Sequence, residues 1–201
     1  LEEVFGQSHL LGQGGALSLM RGPDCLLPSL ILWGPPGVGK TTLARLLAQD
    51  SGLFFECVSA IFSGTEVLKR VFEGATGRHR VGQGTLLFVD EIHRFNRAQQ
   101  DIFLPFLEDG TVTLIGATTE NPSFELNPAL MSRCQVLTLK RLDLKALEAL
   151  LLRAEKEIGA IIPLQQDARD HLLNMSDGDG RALLSYVEEL LNLRSKKPLS
   201  I

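Results

Sequence analysis

Five short apolar runs alternate with amphipathic stretches along the first two thirds of the chain. The runs are SLILW at 29–33, FFECV at 54–58, TLLFV at 85–89, VTLIG at 112–116 and VLTL at 136–139. Runs that are apolar at consecutive positions are typical of strands buried on both faces, and such strands form parallel sheets covered by helices on each side. The pattern therefore predicts an α/β domain with a five-stranded parallel sheet.

Helical periodicity fills the gaps between these runs and takes over after them. Residues 41–50 place three leucines on one face, and Gly52 follows the end of that segment. Beyond about residue 140 the strand pattern stops, and helical spacing continues at 143–158, 167–175 and 180–194. The change predicts two domains, an α/β domain over 1–140 and a small all-helical domain over 141–201.

Composition restricts the class of protein. The 201 residues are 44% hydrophobic and 22% charged, which is enough for one large globular domain or for a large and a small one. The net charge of -4 opposes tight nucleic-acid binding by this chain alone, because nucleic-acid-binding domains usually carry a basic excess. Any contact with DNA must then be local or be supplied by other copies.

Cysteine usage and the apolar runs predict a cytoplasmic protein that does not enter a membrane. Cys25, Cys57 and Cys134 have the spacing of neither a zinc site nor a disulfide framework. The apolar runs are shorter than the roughly 18 residues of a membrane span, and LEEVFGQ lacks the pattern of a signal peptide. The first residue is not methionine, from which we expect a trimmed chain.

The stretch ILWGPPGVGKTT, at 31–42, contains the phosphate-loop pattern GxxxxGK[ST] between a predicted strand and a predicted helix. Small residues let backbone N–H groups converge on phosphate oxygens, and the positive end of the helix adds attraction for the anion. We expect Lys40 to reach the β and γ phosphates and the Thr41 hydroxyl to bind Mg²⁺. The flanking strand and helix argue against a glycine-rich turn with a chance lysine. The predicted nucleotide contacts are Gly34, Pro35, Pro36, Gly37, Val38, Gly39, Lys40, Thr41 and Thr42.

A second motif, LLFVDE at 86–91, is a buried strand that ends in two carboxylates. Asp90 is expected to hold the Mg²⁺ shell, and Glu91 to orient or deprotonate the attacking water. Two acids in this place could also form a solvated turn or cap a helix. The phosphate loop favours the catalytic interpretation, because the two motifs are parts of one kind of site.

GPPGVGKT together with FVDEIHRFN resembles the AAA+ ATPases, and residues 90–134 resemble one family within them. That stretch, DEIHRFNRAQQDIFLPFLEDGTVTLIGATTENPSFELNPALMSRC, is similar to the RarA/MgsA family, the bacterial relatives of the eukaryotic Werner-helicase-interacting ATPase, which are themselves similar to clamp-loader subunits. The resemblance covers nearly the whole chain. It implies a P-loop NTPase sheet domain followed by a helical lid, with ATP and Mg²⁺ at their junction.

The resemblance also implies roles for residues after the fourth predicted strand, VTLIG, which would lie between the two motif strands. Thr119 takes the place of the polar sensor 1 group near the γ phosphate, with Asn121 as the alternative occupant. Alternatively, one or both residues only form a turn before Pro122. MSRC resembles the clamp-loader SRC motif, so Arg133 would be an arginine finger that acts in the neighbouring subunit.

Both ends of the chain carry a further motif of the family. SDGDGRALLSYVEEL resembles the GDxR sensor 2 motif, so Arg181 would face the nucleotide at the start of a helix that Asp179 caps. LEEVFGQSHLLG resembles the segment that lines adenine, which implies base contacts from Val4, Phe5 and Gly6. Phe5 could equally be a hydrophobic staple for the next helix.

Several residues around the two acids keep open alternatives. His93, Arg94 and Asn96 either couple the ATP state to a neighbour or to DNA, or shape the helix that follows. Ser59 takes the place where many AAA+ proteins have a polar group that holds the catalytic glutamate away until a partner binds. The absence of a second histidine or cysteine at ligand spacing leaves Mg²⁺ as the predicted metal.

The resemblance implies an ATPase that works in replication-fork maintenance and recombination. The implied partners are DNA ends, gaps or forks, replication proteins and further copies of the chain, which form a tetramer through a C-terminal domain outside it. One alternative is a clamp-loader-like subunit that binds nucleotide with little hydrolysis. Another is a protein unfoldase, but AIFSGTE at 60–66 offers only Phe62 toward an aromatic–glycine pore loop. The predicted catalytic set is Lys40, Glu91, Thr119, Arg133 and Arg181.

Overall fold

The computed structural model describes residues 4–18, 20 and 27–192. The strands are β1 (Leu30–Trp33), β2 (Phe54–Ser59), β3 (Thr85–Asp90), β4 (Val112–Thr118) and β5 (Gln135–Thr138). The helices are α1 (Ser8–Leu11), α2 (Lys40–Asp50), α3 (Thr65–Arg80), α4 (Arg97–Asp101), α5 (Leu104–Glu108), α6 (Pro122–Glu125), α7 (Pro128–Met131), α8 (Leu144–Ile158), α9 (Gln166–Met175) and α10 (Gly180–Asn192), with a 3-10 turn at Ile92–Arg94. Cys25 and positions 193–194 of the last predicted helix lie outside the described residues.

The strands form one parallel sheet in the order β2-β3-β4-β1-β5. Leu30 of β1 lies opposite Ile115 of β4 on one side and Gln135 of β5 on the other. The predicted five-stranded parallel sheet is therefore confirmed. The predicted place of VTLIG, between the phosphate-loop strand and the strand with the two acids, is confirmed as well.

Burial differs between the centre and the edges of the sheet. In β3 the run from Leu86 to Val89 is fully buried, as expected for a central strand with helices on both faces. At the edges, Phe54 of β2 and Val136 of β5 are exposed at 40% and 38%. Edge strands are therefore less buried than their apolar runs predict, because each has a neighbouring strand on one side alone.

Aromatic packing holds helices against the sheet. The ring of Phe72 on α3 stacks on Phe106 with centroids 4.1 Å apart and meets Phe103 edge-on at 5.4 Å. Such pairs stabilise by about 0.5–1.5 kcal/mol beyond the area that they bury. Gln100 is buried as well and donates to the carbonyls of Phe95 and Glu125, so the segment after β3 is fixed to the segment after β4.

Contacts within the chain divide it into two compact units. The described part of the first comprises residues 9–18, 20, 27–34 and Lys40–Leu139 and contains the sheet. The described part of the second comprises residues 4–8, Pro35–Gly39 and 140–192 and contains the last three helices. The domain boundaries drawn from the sequence, 1–140 and 141–201, stay a prediction.

The second unit has its own apolar core and a buried ion cluster. The core includes Leu147, Leu151, Leu172, Leu183 and Val187. Arg169 of α9 makes two hydrogen bonds to the carboxylate of Glu155, at 3.0 and 3.2 Å, and one to Glu148, at 2.9 Å, both on α8. The ion cluster thus joins two of the helices that enclose the core. None of the described helices has the length and apolarity needed to cross a membrane.

Candidate nucleotide-binding site

Backbone contacts fix Gly34, the first residue of the loop after β1. The N–H of Gly34 donates to the carbonyl of Thr118 at 3.1 Å, and a Cβ on Gly34 would lie 2.5 Å from the carbonyl oxygen of Leu139. Lys40, the first residue of α2, is buried and donates from Nζ to the carbonyl of Gly34 at 2.7 Å. The Lys40 ammonium group therefore reaches back from the start of α2 to the first residue of the loop.

Two glycines inside the loop have a backbone that other residues rarely adopt. Gly37 has a φ of 67° and Gly39 a φ of 92°. For an L residue with a side chain, this left-handed region costs roughly 1–2 kcal/mol, whereas glycine enters it freely. No heavy atom lies within 4 Å of a Cβ placed on Gly39, so that side of the loop is open.

The remaining predicted contacts complete the loop and the first turn of α2. Val38 is buried, Pro35, Gly39 and Thr41 are half-buried, and Pro36 and Thr42 are exposed. The first turn of α2 contains no acidic residue. Because the N-terminal amides of a helix attract anions, this turn suits a phosphate group.

The start of α10 contacts this loop within the second unit. The Asp179 carboxylate accepts hydrogen bonds from the N–H groups of Arg181 and Ala182 at 2.8 and 3.0 Å, which confirms that Asp179 caps the helix. The N–H of Gly180 donates to the carbonyl of Gly37 at 3.1 Å. Arg181 itself is exposed on the first turn.

The two acids lie at the carboxyl end of β3. Asp90 is the last residue of the strand, is half-buried, and accepts a hydrogen bond at its carbonyl from Ala60 at 2.9 Å. Glu91 has a φ of 53° and a ψ of 45°, which is left-handed backbone at a residue that is not glycine. Its side chain makes no capping hydrogen bond to the turn that follows, so a helix cap does not explain it. Ser59 lies opposite Asp90 in the β2–β3 register.

Sequence reasoning left the role of His93 open, and it missed Thr118. The Nδ1 atom of His93 lies 3.4 Å from Oε2 of Glu91 and 2.9 Å from Oγ1 of Thr118. Thr118 is fully buried at the end of β4 and precedes Thr119, which is half-buried. The sequence offered one signal for this contact, a histidine two residues after the second acid. Thr118, the residue that the histidine contacts, is 25 positions away in the sequence.

The alternative sensor residue has a local structural role. The side chain of Asn121 accepts a hydrogen bond from the N–H of Ser123 at 3.0 Å and caps α6. Thr119 comes just before it, after the last residue of β4. The turn before Pro122 thus accounts for Asn121, and Thr119 stays the predicted sensor.

Arg133 lies after α7 on the surface of the first unit. Its guanidinium donates to the carbonyl of Ala129 at 2.8 Å and to Oγ of Ser132 at 3.2 Å, and it pairs with the carboxylate of Glu108. Burial raises the pKa of the neighbouring Cys134 thiol to about 12. That thiol packs against the apolar core and stays protonated at neutral pH, which argues against a role as a nucleophile.

The predicted adenine segment packs within the second unit. Phe5 contacts the helical core, and a Cβ on Gly6, whose φ is 72°, would lie 2.7 Å from Cδ2 of Leu142. The Gln7 side chain donates to the carbonyl of Lys140 at 2.8 Å and accepts from its N–H at 3.1 Å. Val4 is half-buried in the same segment. Contact of these residues with adenine stays a prediction.

The oxygen ligands near the loop suit a Mg²⁺ ion that is bound together with a nucleotide better than a metal ion held by protein side chains alone. No cluster of three histidine, cysteine, aspartate or glutamate side chains that could hold an ion occurs among residues 4–18, 20 and 27–192. Mg²⁺ usually keeps several waters and takes one or two protein oxygens together with substrate phosphates. The Thr41 hydroxyl and the Asp90 carboxylate are oxygens of this kind, and their role as magnesium ligands stays a prediction.

Three comparisons bear on this site. Residues 30–142 match the family model described as "ATPase family associated with various cellular activities (AAA)". The chain is 48% identical over 195 residues to replication-associated recombination protein A of Coxiella burnetii, covering 94% of this chain and 43% of that protein. It is 42% identical over 193 residues to ATPase WRNIP1 of Dictyostelium discoideum, covering 94% of this chain and 22% of that protein. The chain thus spans less than half the length of these relatives.

A solved structure shares the fold. The Thermotoga maritima protein described as "RuvB Holliday junction branch migration motor" aligns with a TM-score of 0.78 at 25% sequence identity. The alignment covers the whole of this chain and 68% of that one. The fold predicted from the sequence for the sheet-containing part is thereby confirmed.

Proposed function

The chain belongs to the AAA family of ATPases, and from that premise we propose that it is the ATP-binding and ATP-hydrolysing module of a replication-associated recombination protein that acts on DNA. The resemblance to the RarA/MgsA family is confirmed by the relatives named above. The activity, the substrates and the partners of the whole protein are part of the proposal, because the chain spans less than half of those relatives.

The placement of the two motifs in the sheet carries the proposal. The phosphate loop follows β1, the two acids lie at the end of β3, and β4 alone separates these strands. All three strands are parallel, so their carboxyl ends lie at one edge of the sheet. Ligands of open parallel sheets bind outside this edge. This placement supports the proposal that Lys40 and Glu91 act on the same bound triphosphate.

The chemistry follows from what each side chain can do. Bound Mg²⁺ would neutralise charge that develops on the phosphoryl group. Lys40 would bind phosphate oxygens in place of the Gly34 carbonyl, while Thr41 and Asp90 would hold the metal. Glu91 would accept a proton from the attacking water, and Thr119 would orient that water. Phosphoryl transfer needs positioning and charge stabilisation more than covalent help, and these residues supply both.

The finer assignments complete the proposal. Arg133 would act as a finger on the nucleotide of a neighbouring subunit, a role that is worth about 10³ to 10⁵ in rate in phosphoryl-transfer enzymes. Arg181 would add charge at the phosphates, and Val4, Phe5 and Gly6 would contact the base. The full-length protein would be a cytoplasmic homo-oligomer, a tetramer, whose turnover responds to DNA ends, gaps or forks and to replication proteins. Exposure of Arg133 supports the finger role.

Turnover and binding assays on the full-length protein test the proposal. We expect wild type to bind Mg·ATP and hydrolyse it faster with gapped or ended DNA. We expect Lys40→Ala to lose binding, and Glu91→Gln to bind with only a small residual turnover. Failure of wild type to bind Mg·ATP would refute the nucleotide site. Binding of Mg·ATP with equally low turnover in wild type and Glu91→Gln would indicate a nucleotide-binding interaction subunit. Stimulation by a folded protein but by no nucleic acid would refute the action on DNA.

A further inference from the structure

We propose that His93 is a positioning residue that holds the Glu91 carboxylate and links it to the end of β4 through Thr118. The inference rests on the proposed function, in which Glu91 activates water. It goes beyond that function because it names the group that sets the orientation of Glu91.

The hydrogen-bond partners determine which ring nitrogen carries a proton. The Glu91 carboxylate can only accept, so an attractive contact with Nδ1 at 3.4 Å requires a proton on Nδ1. The Thr118 hydroxyl has one proton, which can be donated to the carbonyl of Glu120 at 3.3 Å. Oγ1 then accepts from Nδ1 of His93 at 2.9 Å and from the N–H of Glu120 at 3.0 Å. The single proton on Nδ1 then serves the Thr118 hydroxyl at 2.9 Å, and the Glu91 carboxylate, at 3.4 Å, shares it as the more distant acceptor.

Burial gives the contact a fixed geometry. The side chain of His93 is 7% exposed and that of Glu91 is 25% exposed. The turn that carries the ring is also packed on β4, because a Cβ on Gly116 would lie 2.8 Å from Cδ1 of Ile92. Ile92 and His93 therefore anchor the turn to one strand at two places, Gly116 and Thr118. The Glu91 side chain leaves this turn from a left-handed backbone.

The arrangement connects Glu91 to the predicted sensor. Thr118 bonds both backbone groups of Glu120, so its hydroxyl is fixed by the shape of the segment that contains Thr119. A shift of that segment would move Oγ1, and the ring of His93 would follow it. His93 would thereby pass the state of the Thr119 segment to the carboxylate of Glu91.

A purely structural imidazole would show the same burial, so the test uses variants matched in shape. Leucine and asparagine branch alike at Cγ, but asparagine alone can donate a hydrogen bond from the position of Nδ1. In the full-length protein we expect His93→Leu to lower kcat about 10-fold or more, within the range of general-base effects. The Kd for Mg·ATP should stay within about 3-fold of wild type, and His93→Asn should restore most of the lost kcat.

A second pair of measurements separates positioning from folding. In the Glu91→Gln background, His93→Leu should cause no further loss of turnover, because His93 acts through Glu91. Thr118→Val should lower kcat as His93→Leu does, and Thr118→Ser, which keeps the hydroxyl, should not. Equal kcat of wild type and His93→Leu, or equal losses in the leucine and asparagine variants, would overturn the inference.

Nitrogen-15 spectra of the imidazole ring test the contact independently of turnover. We expect the neutral ring of His93 to be protonated at Nδ1 and the signal to move in Thr118→Val. A neutral ring protonated at Nε2 would overturn the inference. If wild type failed to hydrolyse ATP, the proposed function would fail, and the ring spectrum would still decide whether His93 holds Glu91 in this way.

Discussion

The carboxylate of Asp179 occupies the space where a side chain on Gly37 would lie. A Cβ built on Gly37 falls 1.6 Å from Oδ1 and 2.2 Å from Cγ of Asp179. The backbone of Gly37 also accepts a hydrogen bond from the N–H of Gly180 at 3.1 Å. The middle of the phosphate loop is thus in contact with the capped first turn of α10, and movement of one requires adjustment of the other.

Gly37→Ala should impair nucleotide binding. The methyl group meets the Asp179 carboxylate at a distance that no real contact tolerates, and the φ of 67° strains any side chain. We expect the affinity for Mg·ATP to fall about 10-fold or more, measured by calorimetry on the full-length protein. Gly64→Ala is the matched control, because no heavy atom lies within 4 Å of its Cβ and its φ is -92°. An unchanged affinity in Gly37→Ala would contradict the contact with Asp179.

Lys40→Met should abolish tight nucleotide binding with little loss of fold. The ammonium group is buried and bonded to the carbonyl of Gly34, and methionine keeps the unbranched stem without the charge. We expect the affinity for Mg·ATP to fall about 10- to 100-fold, because a charge-assisted contact to phosphate is lost. Calorimetry measures the affinity, and thermal unfolding reports the fold. Lys69→Met, at an exposed ion pair, is the control and should bind normally.

Glu108→Gln should raise the turnover that depends on assembly. The Glu108 carboxylate pairs with the Arg133 guanidinium within one chain, and a finger that acts on a neighbour must leave this partner. Exposed ion pairs contribute roughly 0–1 kcal/mol, so we expect about a twofold to fivefold increase in turnover at high protein concentration. Glu66→Gln removes another exposed pair and should change nothing. A fall in turnover would mean that Glu108 supports Arg133 in its active position.

Glu155→Gln should destabilise the helical unit at neutral pH and weaken its response to acid. The hydrogen bonds from Arg169 hold the pKa of the Glu155 carboxyl below its ordinary value. The resulting stability is present above the unfolded pKa of about 4.3 and is lost as the pH falls through the lower folded pKa. We expect a loss of about 1.5–3 kcal/mol at pH 7, the range for hydrogen bonds to charged groups.

Urea unfolding of wild type and Glu155→Gln at several pH values between 7 and 3 would measure this difference, which should shrink toward the acid end. Glu157→Gln is the control on the same helix, since the pair of Glu157 with Arg153 is exposed. A constant difference across this pH range would refute the ionic origin of the stability.

The sequence predicted the parts of the site that depend on local order. The phosphate loop and the two acids each occupy adjacent positions at the end of an apolar run, so strand, loop and chemistry could be assigned from consecutive residues. The sheet order around VTLIG came from the family resemblance and is confirmed. Strand β1 begins at Leu30, one residue after the start of its apolar run, and β2 begins at Phe54, where its run starts.

The parts that escaped prediction depend on residues far apart in the sequence or on backbone angles. His93 contacts Thr118, and a buried polar pair has no apolar periodicity that would reveal it. The left-handed backbone of Glu91 could not be predicted from the sequence either, because glutamate has no local preference for that conformation. The fit of Gly37 to Asp179 joins positions on different motifs, and neither motif alone implies the other.

The hydrogen bonds between Gln7 and Lys140 connect positions 133 apart along the chain. Together with the packing of Phe5, they make residues 4–8 a component of the helical unit. A recombinant piece cut at residue 140 would therefore leave out an aromatic side chain that its remaining helices pack against. Anyone isolating those helices for expression should graft residues 4–8 back onto them, or splice the two segments by circular permutation.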